Sequence, residues 1–484
     1  MRLVTLLVAL SALQTPAFAD TIVYPTGDPA QDVAAVRAAV RFGGTVRLKA
    51  TDIAGNPQVF DFGDFPVSGV DWNYFGSGYV ALGTSGEIVP VTAGGRTRYF
   101  SLGNDVRLVG ETARGARTTI RGGTIPVRNF APQPVPGAGV QFVFGVGNLT
   151  VEGIRFTESA LQSIYTVQFG TLPEVRALLQ ARGLNPTVEI RGNEVVDVQP
   201  AYDGFWYALA AVTDRPAGHA KVEDNVVQFT TGKWDQAERS YEQQVGLGRS
   251  DEFWEGISIA DLRASANILR NQVKGVDIGA LVYFDGSEVV QISDNRIELR
   301  PEGSVGIFAA ANHTYLIERN TVIASGTFPD GIILNASDPA IGINHSTVRH
   351  NRVVLDGSDF GGISLLGGGA GNYIAENRIE GSAAYALGLV SDFFAPDAVA
   401  TANAFAGNQI SQFNPRESNV YGLSAHVFFD VNTRGNILVG NSGTVIDLGV
   451  GNSITGSRLP GQPAGPALSD ALAAKRAILE KVRR

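Results

Sequence analysis

Polar groups able to do chemistry gather one or two residues beyond a recurring Gly-led strand: Asp261, Asp285, Asn312, His313, Asn335 and Asp338. The strands read Gly256-Ile-Ser-Ile259, Gly279-Ala-Leu-Val282, Gly306-Ile-Phe-Ala309, Gly331-Ile-Ile-Leu334, Gly362-Ile-Ser-Leu365 and Gly422-Leu-Ser-Ala425. Stacked as neighbours about 4.8 Å apart, they would turn the polar groups into a column bordering a groove. Asp261 and Asp285 then suit Ca²⁺, or neutralisation of a uronate carboxylate through it, and His313 suits a general base. The expected catalytic set is therefore His313, Asp261 and Asp285, with Asp261 and Asp285 as the metal ligands. The competing reading is that Asp and Asn simply end strands and make turns.

A second group is aromatic. The stretch from Thr231 to Glu255 combines Trp234 and Trp254 with Glu, Asp and Arg, and Tyr283 and Asn335 fall at the fifth positions of Gly-led strands. Aromatic faces stack on the C–H surface of a sugar while charged and amide groups bond its hydroxyls. Trp234, Trp254, Tyr283, Asn312 and Asn335 are the expected substrate-binding residues. The competing reading is a solvated loop whose Trp residues pack onto the body of the protein. The five His show no His-x-His or His-Glu-x-x-His spacing, which argues against zinc. Gly367 to Gly371 lacks the Lys-Ser/Thr of a phosphate loop and reads as a turn.

What must position these residues is a repeat. The phrase aliphatic, two residues, Asn, one residue, aliphatic returns at Asn193, Asn225, Asn271, Asn295, Asn320, Asn351 and Asn377, with looser copies near Asn408 and Asn436. A period mostly in the twenties and thirties marks a solenoid. Aliphatics two apart point to one face, and Asn tolerates the left-handed backbone of a sharp corner. Stacked Asn amides can also join a hydrogen-bonded ladder. With a Gly-led strand after each phrase, every period holds at least two short strands, which is the coil of a parallel β-helix. The third strand residues, Ser258, Leu281, Phe308, Ile333, Ser364 and Ser424, are expected to face outward. That face is apolar enough to need cover from an insertion or a second subunit.

The 484 residues contain 58 Gly, no Cys and one Met, and carry a formal charge of −9, which argues against a nucleic-acid partner. Residues 1–19 read as a signal peptide: Arg2, the apolar run Leu3 to Leu13, then Ala17-Phe18-Ala19. No later stretch reaches membrane-spanning length, so the expectation is a periplasmic or secreted bacterial protein. Residues 20–458 would form the solenoid, opened by a cap over 20–50. In that cap Asp32 starts a helix presenting Val33, Val36 and Val40, and Gly43 ends it. Insertions fall near 60–100, 172–183 and 231–255, the second a helix. Residues 459–484 read as a linker and an amphipathic, basic C-terminal helix, a further candidate subunit contact.

The cap followed by Gly43-Gly-Thr-Val, together with Leu108-Val-Gly110-Glu111, Thr118-Thr-Ile120-Arg-Gly-Gly123 and Val146-Gly-Asn-Leu-Thr-Val-Glu-Gly-Ile154, resembles the opening coils of the pectate-lyase-like superfamily. The resemblance covers roughly Asp20 to Ser457. It implies an all-β solenoid, a single-stranded right-handed parallel β-helix with an N-terminal capping helix, to which the sequence adds the C-terminal helix. It also implies a polysaccharide or glycan partner. The Asn-Thr-Asp and Arg-Ile-Lys phrases of polygalacturonase-like hydrolases and the Asp-Pro-His-Glu phrase of alginate epimerases are missing. Two functions stay open: a lyase acting on a uronate-containing polymer, and a non-catalytic scaffold for glycan binding, adhesion or surface assembly.

Overall fold

The computed structural model describes residues 20–63, 79–103, 105–123, 128–159, 162–197, 207–230, 253–262, 264–283, 289–310, 314–336, 342–391, 397–417 and 424–455, without the side chains of 207–209 and 253. The expected leader, the C-terminal helix and most of the 231–255 insertion lie outside them.

A typical coil runs Thr314–Glu318, turns at Arg319-Asn320, continues as Thr321–Ser325 and closes with Asp330–Asn335. Each of its three strands pairs in parallel with the matching strand of the next coil, Ile317 opposite Val348, Val322 opposite Val353 and Ile332 opposite Ile363. Repeated along the chain, this produces sheets of 14, 11 and 10 strands. Their inward aliphatics form one continuous core from Val23 to Val445. The architecture is an all-β right-handed parallel β-helix.

The Asn residues form the expected ladder. Asn320 donates from Nδ2 to the Ile292 carbonyl (2.8 Å) and to Asn351 Oδ1 (2.9 Å), and its own Oδ1 accepts from the backbone and side chain of Asn295. The same pattern runs from Asn193 through Asn408 to Asn441. Asn436 belongs instead to a second ladder, Asn372–Asn403–Asn436–Asn452. The left-handed residue is also not the Asn. It is the residue before it, with φ of 57° at Asp224, 55° at Arg270, 59° at Asp294 and 55° at Arg319. The Asn keeps ordinary backbone because its amide must point inward, so the preceding residue takes the strain of the corner. Those outward side chains pair between coils, Arg270 with Asp224 (2.7 Å) and Arg319 with Asp294 (2.8 Å).

The Gly that leads the third strand has a packing reason. A Cβ on Gly256 would lie 2.5 Å from Val273 Cγ1, and one on Gly279 would lie 2.3 Å from Ile297 Cγ2. Val273 and Ile297 are the aliphatics that follow Asn271 and Asn295. The Asn phrase and the Gly-led strand therefore fit one into the other across coils.

At the N-terminal end, helix α1 (Pro29–Val40) lays Val33, Val36 and Val40 over the core. Its N-cap is Asp28, whose side chain accepts the Gln31 N–H, because Pro29 already opens the helix. Asp32, expected as the cap, is buried, and it accepts from the backbones of Thr26, Gly27 and Asp61. It thereby ties the entry loop to the first coil. Helix α2 (Pro173–Ala181) lies beside a four-stranded sheet built from Glu87–Ala93, Arg96–Leu102, Phe130–Val135 and Gly139–Gly145. Phe100, Phe144 and Phe169 fill the space between them. No helix among the described residues is long and apolar enough to cross a membrane.

Candidate functional site

The outward face of the ten-stranded sheet carries the residues singled out above. Leu281 and Ile333 cluster with Ile278 and Val305, apart from the inward Ala280, Val282, Ile332 and Leu334. They are only 7 % and 6 % exposed. The apolar face expected to need cover from an insertion or a second subunit is therefore already largely buried in the single chain. Ser424 does not continue the column: the register brings Phe428 to that position, opposite Gly388.

Trp254, expected to bind substrate, is buried instead. It is 2 % exposed, stacked on Phe229 at 5.3 Å between centroids and covered by the Arg300 guanidinium at 5.0 Å. A ring enclosed in the core on one side and by Arg300 on the other cannot be a sugar platform. Trp234, Asp285, Asn312 and His313 lie outside the described residues.

Asp261, Tyr283 and Asn335 are placed, and around Asp261 the chain assembles a cluster. Strands Gln162–Val167, Tyr207–Asp214 and Phe253–Ala260 end side by side, with Asp214 opposite Ala260 and Ala260 opposite Tyr283. The residues just beyond, Arg215 and Asp261, both take left-handed backbone, φ 52° and 49°, and stack at one corner. Arg215 N–H donates to the Ala260 carbonyl and Asp261 N–H to that of Tyr283. Arg215 Nε donates to Asp261 Oδ2 at 2.8 Å and lies 3.6 Å from Asp214 Oδ1, while Tyr165 Oη donates to Asp214 Oδ2 at 3.1 Å. The Arg215 guanidinium also covers the Phe169 ring at 4.9 Å.

The cluster is half open: the Asp214, Asp261 and Arg215 side chains are 20 %, 26 % and 38 % exposed. Burial raises the Asp214 pKa to about 6; Arg215 and the Tyr165 hydroxyl pull it down, and Asp261 pushes it up further. Burial and the Asp214 charge drive Tyr165 well above the ordinary phenol range. Arg215 is raised, because the two carboxylates outweigh a desolvation that works against its charge. At neutral pH this is a carboxylate poised near its titration point beside a paired guanidinium. No group of three His, Asp or Glu residues able to hold a metal occurs among the described residues. Asp261 spends its charge on Arg215, so a cation there must compete with it.

Asp214 and Arg215 escaped the sequence reading because the flag was missing. Their strand has Ala210 where the later strands have Gly, so it does not announce itself as the same element. Counting back one coil from Asp261 in register would have found them. Two further carboxyls sit deeper on this face. Burial lifts Glu255, beside Ser258, to about 8, and lifts Asp330 to about 7 against an N–H bond from Gly361 and a contact with Ser364. Ser364 Oγ in turn meets Tyr385 Oη at 3.1 Å.

Residues 280–459 match the family described as "right handed beta helix region". Among solved structures, the chain resembles one titled as the periplasmic alginate epimerase AlgG, with 11 % identity and a TM-score of 0.18, covering 86 % of this chain and 77 % of that one. No curated protein matches. The stacked parallel sheets and the matched region agree: the chain is a right-handed parallel β-helix protein.

Proposed function

We propose that this is an exported protein that holds a polysaccharide across its coils at the corner formed by Asp214, Arg215 and Asp261. The observation that carries the reading is the partly exposed Asp214–Arg215–Asp261 cluster, backed by Tyr165 and continued along the strand ends by Tyr283 and Asn335. Carboxylates accept from sugar hydroxyls, the guanidinium donates, and a tyrosine ring offers a stacking face. Coils repeat about every 4.8 Å, so a chain of rings laid along the axis meets one polar corner after another. In sequence, Asp285 and His313 follow the strands ending at Tyr283 and Ala310. On this reading Asp285 joins Asp261 in holding Ca²⁺ and His313 acts as a base.

Turnover would need a base at this corner, and Asp214 is one candidate. Asp214, with a pKa near 6, has the strength of a general base at neutral pH. Elimination on a uronate unit would remove the C5 proton, form the C4–C5 double bond and expel the C4 oxygen with its glycan. The test is a panel of acidic and neutral polysaccharides, with and without Ca²⁺, followed by affinity gel retention and ultraviolet absorbance of unsaturated ends. Retention on one glycan, weakened about tenfold or more by Asp261→Asn, supports the site. Unsaturated ends that vanish in Asp214→Asn or His313→Ala establish the lyase and name its base. Retention without turnover makes the protein a scaffold, and no retention on any glycan sinks the proposal.

A further inference from the structure

Beside the N-terminal cap lies a cavity of about 400 Å³ that the corner site does not use. It opens between the end of α1 and the strand Phe130–Val135, and small-molecule sites typically start at about this size. Arg37 and Arg41 border it from the last turn and C-cap of α1, Tyr79, Thr84 and Ser85 from the segment 79–85, and Gln133 from the strand. None of its lining residues is an Asp or a Glu, in a chain whose formal charge is −9.

The polar groups are held in place. Arg37 Nε donates to the Tyr79 carbonyl, with the guanidinium 5.9 Å from the centre of the Tyr79 ring. Gln133 Nε2 donates to Thr84 Oγ1 at 3.3 Å, which fixes an amide and a hydroxyl on one wall. Arg41 is exposed, with its guanidinium 5.5 Å from the Phe42 ring. A third guanidinium, Arg128, lies behind the wall and acts on Tyr79; burial lowers its pKa to about 10, so it keeps its charge at neutral pH. The charged groups bordering the cavity are thus all cationic, in an acidic protein.

We infer that this cavity binds a small hydroxylated carboxylate of the sugar-acid class. A planar carboxylate matches the fork of a guanidinium. Thr84, Ser85 and Gln133 supply the mixed donors and acceptors that ring hydroxyls require. The inference stands independently of the corner site.

The test is calorimetric titration of the full mature chain with glucuronate, glucose and inorganic phosphate. Glucuronate is expected to bind and glucose not, with Arg41→Gln weakening glucuronate at least tenfold and Arg41→Lys restoring part of it. Arg41 faces solvent, so these variants should fold; Gln133→Ala provides a second reading if they do not. Absence of glucuronate binding, indifference to Arg41→Gln and Gln133→Ala, or phosphate binding as tightly as glucuronate would each overturn the inference. Loss of glucuronate binding in Asp261→Asn would relocate the ligand to the corner and overturn it equally.

Discussion

Replacing Asn320 by Ala removes the acceptor for two Asn295 donors and the donor to the Ile292 carbonyl, all inside the core. Each orphaned buried group costs about 1–3 kcal/mol, so with three of them the variant is expected to lose about 3–9 kcal/mol in urea unfolding. A loss under 1 kcal/mol would mean that water replaces the ladder. The importance of this Asn was legible in the sequence because one residue type recurred at a fixed place in an apolar phrase. Its backbone role was not, because a side chain that ladders inward and one that tolerates a left-handed turn leave the same letter. Asp32 and Trp254 misled for a related reason. A carboxylate near a helix start and a Trp among charges suggest exposed roles, and only the packing shows both enclosed.

At the scale of elements, the Gly-led strand and the Asn phrase are two halves of one contact. Gly256→Ala places a methyl against Val273, 2.5 Å from Cγ1, and is expected to cost about 1–3 kcal/mol. Val273→Ala should relieve part of that cost, so a double-mutant cycle should return a coupling of about 1 kcal/mol with the sign of a rescue. Additivity within error would break the link between the two phrases. The strands were readable because Gly marks them, and the corner at Asp214 and Arg215 was unreadable because Ala210 does not. The side sheet with its Phe100–Phe144–Phe169 cluster had no period at all. Its sequence signalled only an interruption.

Across the whole molecule, buried acids set the response to pH. Glu255, Asp330 and Asp214 have pKa values of about 8, 7 and 6, above the ordinary 4.5, 3.8 and 3.8. Between about pH 4 and 8 these three groups therefore hold protons in the folded chain that they have released in the unfolded one, and their contribution to stability falls as pH rises through that window. The melting temperature is expected to be higher at pH 5.5 than at pH 9, with Glu255→Gln and Asp330→Asn flattening the difference. A melting temperature that rises instead would contradict the burial of these groups. Asp224 and Asp294 act in the opposite sense. Their hydrogen bonds to Arg270 and Arg319 hold them below the ordinary carboxylate range, so what they contribute is lost only in stronger acid.

The Asn ladder also has a direction. Each Asn gives its N–H groups to the oxygen of the Asn one coil later, from Asn193 to Asn441. A coil at the growing end thus has donors waiting for a residue not yet made, while every coil behind it is already satisfied. In a chain that emerges N-terminus first, the cap can form ahead of the coils and each new coil can satisfy the donors of the one before it. The fold can then accumulate in the order in which the chain emerges, like courses of brick laid from a finished foundation.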